Sequence, residues 1–204
     1  MSNLSGLEAQ TPSLMPSLIV ISLPKGLSPS GIITSMVEIG QEAVQGVVRQ
    51  QMKPSKDIVV VAISGYGGSG KSTFARELSA AIPGSVILAI DDYYTPIPLP
   101  DDDWAAYDRS QLKAALERHR QNATTSLVIC EGVGLFHPDS LDLFDITIWM
   151  DVNLETATAQ GMKRDREEYN VDHDRLWREE WVPTERRFEA KHNPKGRAQY
   201  GVKD

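Results

Sequence analysis

Residues Gly65-Tyr66-Gly67-Gly68-Ser69-Gly70-Lys71-Ser72 follow the pattern G-x-x-x-x-G-K-[ST] in full, and Thr73 continues it. The chemistry such a run can do is the holding of a phosphate chain. Glycines let the backbone turn with positive φ and approach an anion with no Cβ in the way. Successive N–H groups then form an anion nest, and a helix starting at its end adds its positive pole. Lys71 would supply a mobile cation for β- and γ-phosphates, and Ser72 a hydroxyl for magnesium (Mg²⁺). Many activities share this loop, so phosphate binding alone does not name a function.

Acidic residues narrow the choice. Asp91 and Asp92 directly follow the apolar run Val86 to Ile90, and Glu131 follows Leu127 to Cys130. A carboxylate beside a terminal phosphate can take a proton from an attacking hydroxyl or hold a metal ion through water. The competing readings are a helix cap or a solvated turn. The basic run Lys163-Arg164-Asp165-Arg166 reads either as a segment that closes over phosphates, with Arg164 its best candidate, or as a solvated helix face.

These residues need elements to position them. Ile58 to Ile63 is a continuous, largely β-branched run, as expected of a strand buried on both faces of a parallel sheet. Val86 to Ile90, Leu127 to Cys130 and Ile146 to Met150 read alike. Helical stretches are expected over Lys71 to Ile82, Arg109 to Arg120 and Leu154 to Glu168. Alternating strands and helices mean an α/β fold with a parallel central sheet. The loop and all three acids then lie at the carboxyl ends of strands, where such sheets bind ligands.

Outside this region, residues 1–16 read as a loose arm, and Leu18 to Leu23 as a short strand or a staple onto the core. Apolar residues from Ile32 to Val48 recur at spacings of three and four, which predicts an amphipathic helix. The expected organisation is an N-terminal arm and helix, residues 1–56, packed on one domain formed by 57–204. Asp174 to His192 reads as a charged helical stretch broken or kinked at Pro183, and 197–204 as a short edge strand or a frayed end.

The chain has 204 residues, with 28 Asp and Glu against 21 Lys and Arg, and a formal net charge of −7. That balance lacks the global positive field of a nucleic-acid binder. No apolar run approaches the roughly 20 residues of a membrane span. Cys130, the one cysteine, cannot form an internal disulfide, which fits a reducing, cytoplasmic setting. The four histidines show no metal-ligand spacing. The oligomeric state stays open, a homo-oligomer included.

Ser64 to Thr73, Asp91-Asp92-Tyr93-Tyr94 and Glu131-Gly132-Val133, in this order, resemble the uridine kinase-like branch of the P-loop kinases. That branch includes uridine, nicotinamide riboside and pantothenate kinases, with phosphoribulokinase a further relative. The likeness spans roughly residues 57–170. It implies a three-layer α/β/α P-loop NTPase fold and a kinase that moves the γ-phosphoryl group of ATP, with Mg²⁺, to a small alcohol. The acceptor would be nucleoside-like, ribosyl, pantothenate-like or a sugar. By the same likeness Asp91 is the catalytic carboxylate, Ser72, Glu131 and Asp91 the metal-side groups, and Arg164 part of the lid. Asp101 to Asp103, Trp104 and Asp108 either line the acceptor side or form a solvated loop. The short segment between the two acidic motifs leaves a second reading, a nucleotide-binding protein with a regulatory role and no phosphoryl acceptor.

Overall fold

The computed structural model describes residues 36–52, 58–95, 107–122 and 124–203. The expected arm, the apolar run of residues 18–23 and the acidic stretch 101–104 lie outside the described residues. The first half of the described chain forms β1 (Val37–Glu38), α1 (Gln41–Gln51), β2 (Val59–Ser64), α2 (Lys71–Ala81), β3 (Ser85–Ala89) and α3 (Arg109–Arg120). The second half forms β4 (Leu127–Glu131), β5 (Ile146–Met150), α4 (Leu154–Glu167), α5 (Asp174–Leu176), α6 (Val182–His192) and β6 (Tyr200–Val202).

The strands form one parallel sheet in the order β1-β6-β5-β2-β4-β3. β2 lies between β5 and β4, and all six of its residues are buried. Side chains alternate along a strand, so β2 serves two cores. Val59, Val61 and Ile63 pack with Val44, Val47 and Val48 of α1 and Phe74, Ala75 and Leu78 of α2. Val60 and Ala62, with the preceding Ile58, pack with Leu112 and Leu116 of α3 and with Leu135 and Phe136. Helices therefore cover both faces of the sheet, the expected three-layer α/β/α arrangement. β3 is only partly buried because it is the edge strand. Cys130 is fully buried in the second core, which pushes its thiol up to about 12.

Three expectations change. The helix read over 32–48 begins at Gln41, because Gly40 is extended (φ −74°, ψ 159°) and Val37–Glu38 pairs as a strand with β6. Its buried stripe, Val44, Val47 and Val48, keeps the predicted spacing. The C-terminal strand is internal, since β1 covers its outer side. Pro183 interrupts nothing. The chain stays helical from Asp174 to His192, widening into a π turn over Trp177–Trp181 that ends two residues before the proline. Pro183 then occupies the first turn of α6, where a proline is tolerated.

Candidate active site

The phosphate-loop sequence connects β2 to α2 and sits at the carboxyl ends of the strands. Two glycines are required there. Gly68 has φ +81°, and a Cβ on it would lie 2.0 Å from the Ala157 carbonyl oxygen. A Cβ on Gly67 would lie 2.7 Å from the Trp177 ring. Gly70 precedes α2 with left-handed backbone, no side chain caps the helix and its first turn carries no acid. Its first N–H groups and positive pole are thus arranged for an external anion.

Lys71 is 7 % exposed, and its Nζ donates to the Tyr66 carbonyl at 2.7 Å. Burial pulls its ammonium below the ordinary value, opposed by the carboxylates of Glu185, Glu131 and Asp91, while Arg164 adds to the lowering. Those groups therefore share one electrostatic neighbourhood. Ser72 Oγ donates toward both Glu131 oxygens at 3.1 Å. Glu131 is 8 % exposed at the end of β4, and burial raises its carboxyl against the pull of Lys71 and Ser72. The space beside Gly132 is filled by Ile90, whose Cγ2 would lie 2.2 Å from a Cβ there.

Asp91 and Asp92 lie in a 3₁₀ turn, Ile90–Tyr93, rather than on extended chain. Side chains of successive residues then diverge around the turn axis. Asp91 accepts a hydrogen bond from Tyr107 Oη at 2.8 Å and acts electrostatically on Lys71 and Glu131. Tyr107 is buried, and burial with the Asp91 charge pushes its hydroxyl up. It is tied in further by an antiparallel bridge to Tyr94. Asp108 is placed as the cap of α3, accepting from the N–H groups of Ser110 and Gln111.

The basic run divides. Lys163 pairs with Glu167 at 3.8 Å on an exposed face, and Arg166 pairs with Asp174. Arg164 donates to Asp165 Oδ1 through Nε (3.1 Å) and Nη2 (2.8 Å) and lies over the Tyr169 ring, 5.1 Å from its centroid. Asp165 is 2 % exposed and accepts from Trp177 Nε1 at 2.8 Å, with His173 Nδ1 at 3.2 Å. Burial alone would raise its carboxyl, but the hydrogen bonds from Trp177, Arg164 and His173 hold it below the usual carboxylate range.

Sequence reasoning missed Glu185, which α6 inserts into the loop. Its Oε1 accepts from Gly67 N–H at 2.6 Å, and its side chain is 4 % exposed. Its Oε2 and Ser69 Oγ are buried without a hydrogen-bond partner among the described residues. Burial pushes the Glu185 carboxyl up to about 7, with Glu189 adding and Gly67 and Lys71 opposing. Between about pH 4.5 and 7 the folded chain thus holds a proton on Glu185 that the unfolded chain has released. Its contribution to stability is full below the ordinary value of 4.5 and is lost as pH rises through about 7. Glu185→Gln is permanently neutral, so its stability relative to wild type should rise by up to about 3 kcal/mol between pH 5 and 8. Denaturant unfolding of the two proteins across that range checks this; a constant difference would contradict it.

No family model matches the chain. The chain is 24 % identical to a uridine kinase of Saccharomyces cerevisiae over 166 residues, which are 63 % of this chain and 33 % of that protein. The match therefore spans about a third of that relative's length. Among solved structures, a protein provisionally named a fructose transport system kinase, from Silicibacter sp. TM1040, superposes with a TM-score of 0.62 at 18 % identity. The superposition covers 81 % of this chain and 99 % of that one. A protein provisionally named a uridine kinase, from Bacillus stearothermophilus, gives 0.55 at 14 % identity, covering 80 % and 98 %. The chain thus resembles a uridine kinase in sequence over part of its length, and it shares the fold of the two solved structures.

Proposed function

We propose that the chain is an ATP-dependent small-molecule kinase that transfers the γ-phosphoryl group to a hydroxyl of a nucleoside-like, ribosyl, pantothenate-like or sugar acceptor. The observation that carries this reading is the convergence of Lys71, Ser72, Glu131 and Asp91 from α2, β4 and the turn after β3 on one strand edge. The loop from Gly65 to Gly70, with Thr73 beyond it, and Lys71 hold and orient the phosphates. Ser72 and Glu131 present hard oxygen donors 3.1 Å apart, a set that suits Mg²⁺. When bound, that ion would neutralise charge on the phosphate oxygens. Asp91, held at one oxygen by Tyr107, has its other oxygen to accept the proton of the acceptor hydroxyl. A panel of alcohol acceptors scored by ADP release tests the reading. ATP binding with no acceptor-dependent release would favour a nucleotide-binding regulatory role.

Arg164 is proposed as the lid cation. It is paired with Asp165, and its charge reaches Lys71. If it closes on the phosphates as transfer proceeds, Arg164→Ala should lower kcat more than ATP affinity. Steady-state kinetics decide, and unchanged kcat and KM would leave Arg164 a structural partner of Asp165.

A further inference from the structure

The contact between Glu185 and the phosphate loop is chemically unusual. Gly67 N–H belongs to a loop arranged for anions, and a carboxylate of the protein's own α6 already occupies it at 2.6 Å. The same carboxylate acts on Lys71, the loop's cation. Gly67 stands three residues before Gly70, the residue that leads into α2. On the kinase reading, a nucleotide's inner phosphates would sit at the helix end and Gly70, and its terminal one toward Gly67 and Lys71. A phosphoryl group brought to the Gly67 N–H would meet that carboxylate directly. The Trp177 ring fills the space beside Gly67 where a Cβ would stand.

We propose that Glu185 is a specificity-determining residue that opposes the terminal phosphoryl group, setting how strongly the chain binds nucleoside triphosphate relative to diphosphate. The proposal rests on the kinase reading of this site and adds a residue from α6 to it. Like charges brought together in a desolvated site discriminate strongly against the ligand that brings them. ADP, lacking the outer phosphoryl, leaves Glu185 in place on Gly67. ATP must displace the carboxylate or neutralise it. A carboxyl pushed up to about 7 is poised for the second course, with Lys71, Tyr66, Glu189 and Tyr107 the ionisable groups around it.

The test is calorimetric titration of wild type, Glu185→Gln and Glu185→Ala with ATP and with ADP at pH 8, where the carboxylate is charged. Glutamine keeps the side-chain volume and an oxygen for Gly67 N–H, and alanine removes the contact. Both variants should bind ATP at least tenfold more tightly than wild type, with ADP affinity changed less than threefold. An equal gain for ATP and ADP, or ATP affinity unchanged or weakened in either variant, overturns the proposal. Measurable ATP binding by wild type in that case leaves the kinase reading standing. If wild type and both variants bind neither nucleotide, the kinase reading fails and the proposal with it.

Discussion

Lys71→Ala is expected to lower ATP turnover at least about a hundredfold in an acceptor-dependent assay, the scale of losing one strong transition-state contact. The structure sharpens the reason. Lys71 is buried and already tethered to the Tyr66 carbonyl, so its charge is presented rather than mobile in bulk water. Truncation would also leave Glu131, Glu185 and Asp91 without the cation they share. The loss should therefore appear in kcat beyond any weakening of ATP binding. Turnover at the wild-type level would remove the kinase reading, and a circular-dichroism melt would show whether the fold survives.

Asp91→Asn should reduce phosphoryl transfer about 10²–10⁴-fold, the range for a positioned acid–base group, with little change in ATP affinity. Asp92→Asn should cost less and act on acceptor KM. The two carboxylates are neighbours in one 3₁₀ turn, yet their surroundings differ. Asp91 meets the Tyr107 hydroxyl and acts on Lys71 and Glu131. Asp92, exposed like Asp91, acts instead on Tyr93. Parallel measurements of ATP affinity and steady-state transfer separate the roles. A dead Asp92→Asn enzyme beside an active Asp91→Asn enzyme would reverse the assignment.

The parts legible in the sequence were those written in contiguous residues. The β-branched run into Gly65 to Ser72 needs only its own backbone to become strand, loop and helix. Glu131, closing an apolar run, is placed by the strand it ends. The contact between Gly67 and Glu185 spans 118 positions, and nothing in a charged helical stretch distinguishes Glu185 from its neighbours. Tyr107 was equally silent, since its role depends on the chain returning to Tyr94 after the segment beyond Thr95. The start of α1 was misplaced because Ile32 to Ile39 satisfies helical spacing as well as strand propensity. Pairing with β6 decides for the strand at Val37–Glu38, and that choice is tertiary.

The pairing of β1 with β6 also bears on how the chain folds during synthesis. Val37 lies opposite Tyr200, so two of the first described residues and some of the last meet in adjacent strands. β6 is the bridge between β1 and β5, and neither contact exists until it has left the ribosome. Until then β5 is an open edge, and β1 waits on a long chain closure, a slow step on topological grounds, while α1 can already pack on β2 and α2. The nascent chain can bury β2, β3, β4 and β5 first, with one apolar strand edge unprotected. Shortening the chain before Tyr200 would make that exposure permanent, and an unprotected edge of this kind is where aggregation begins.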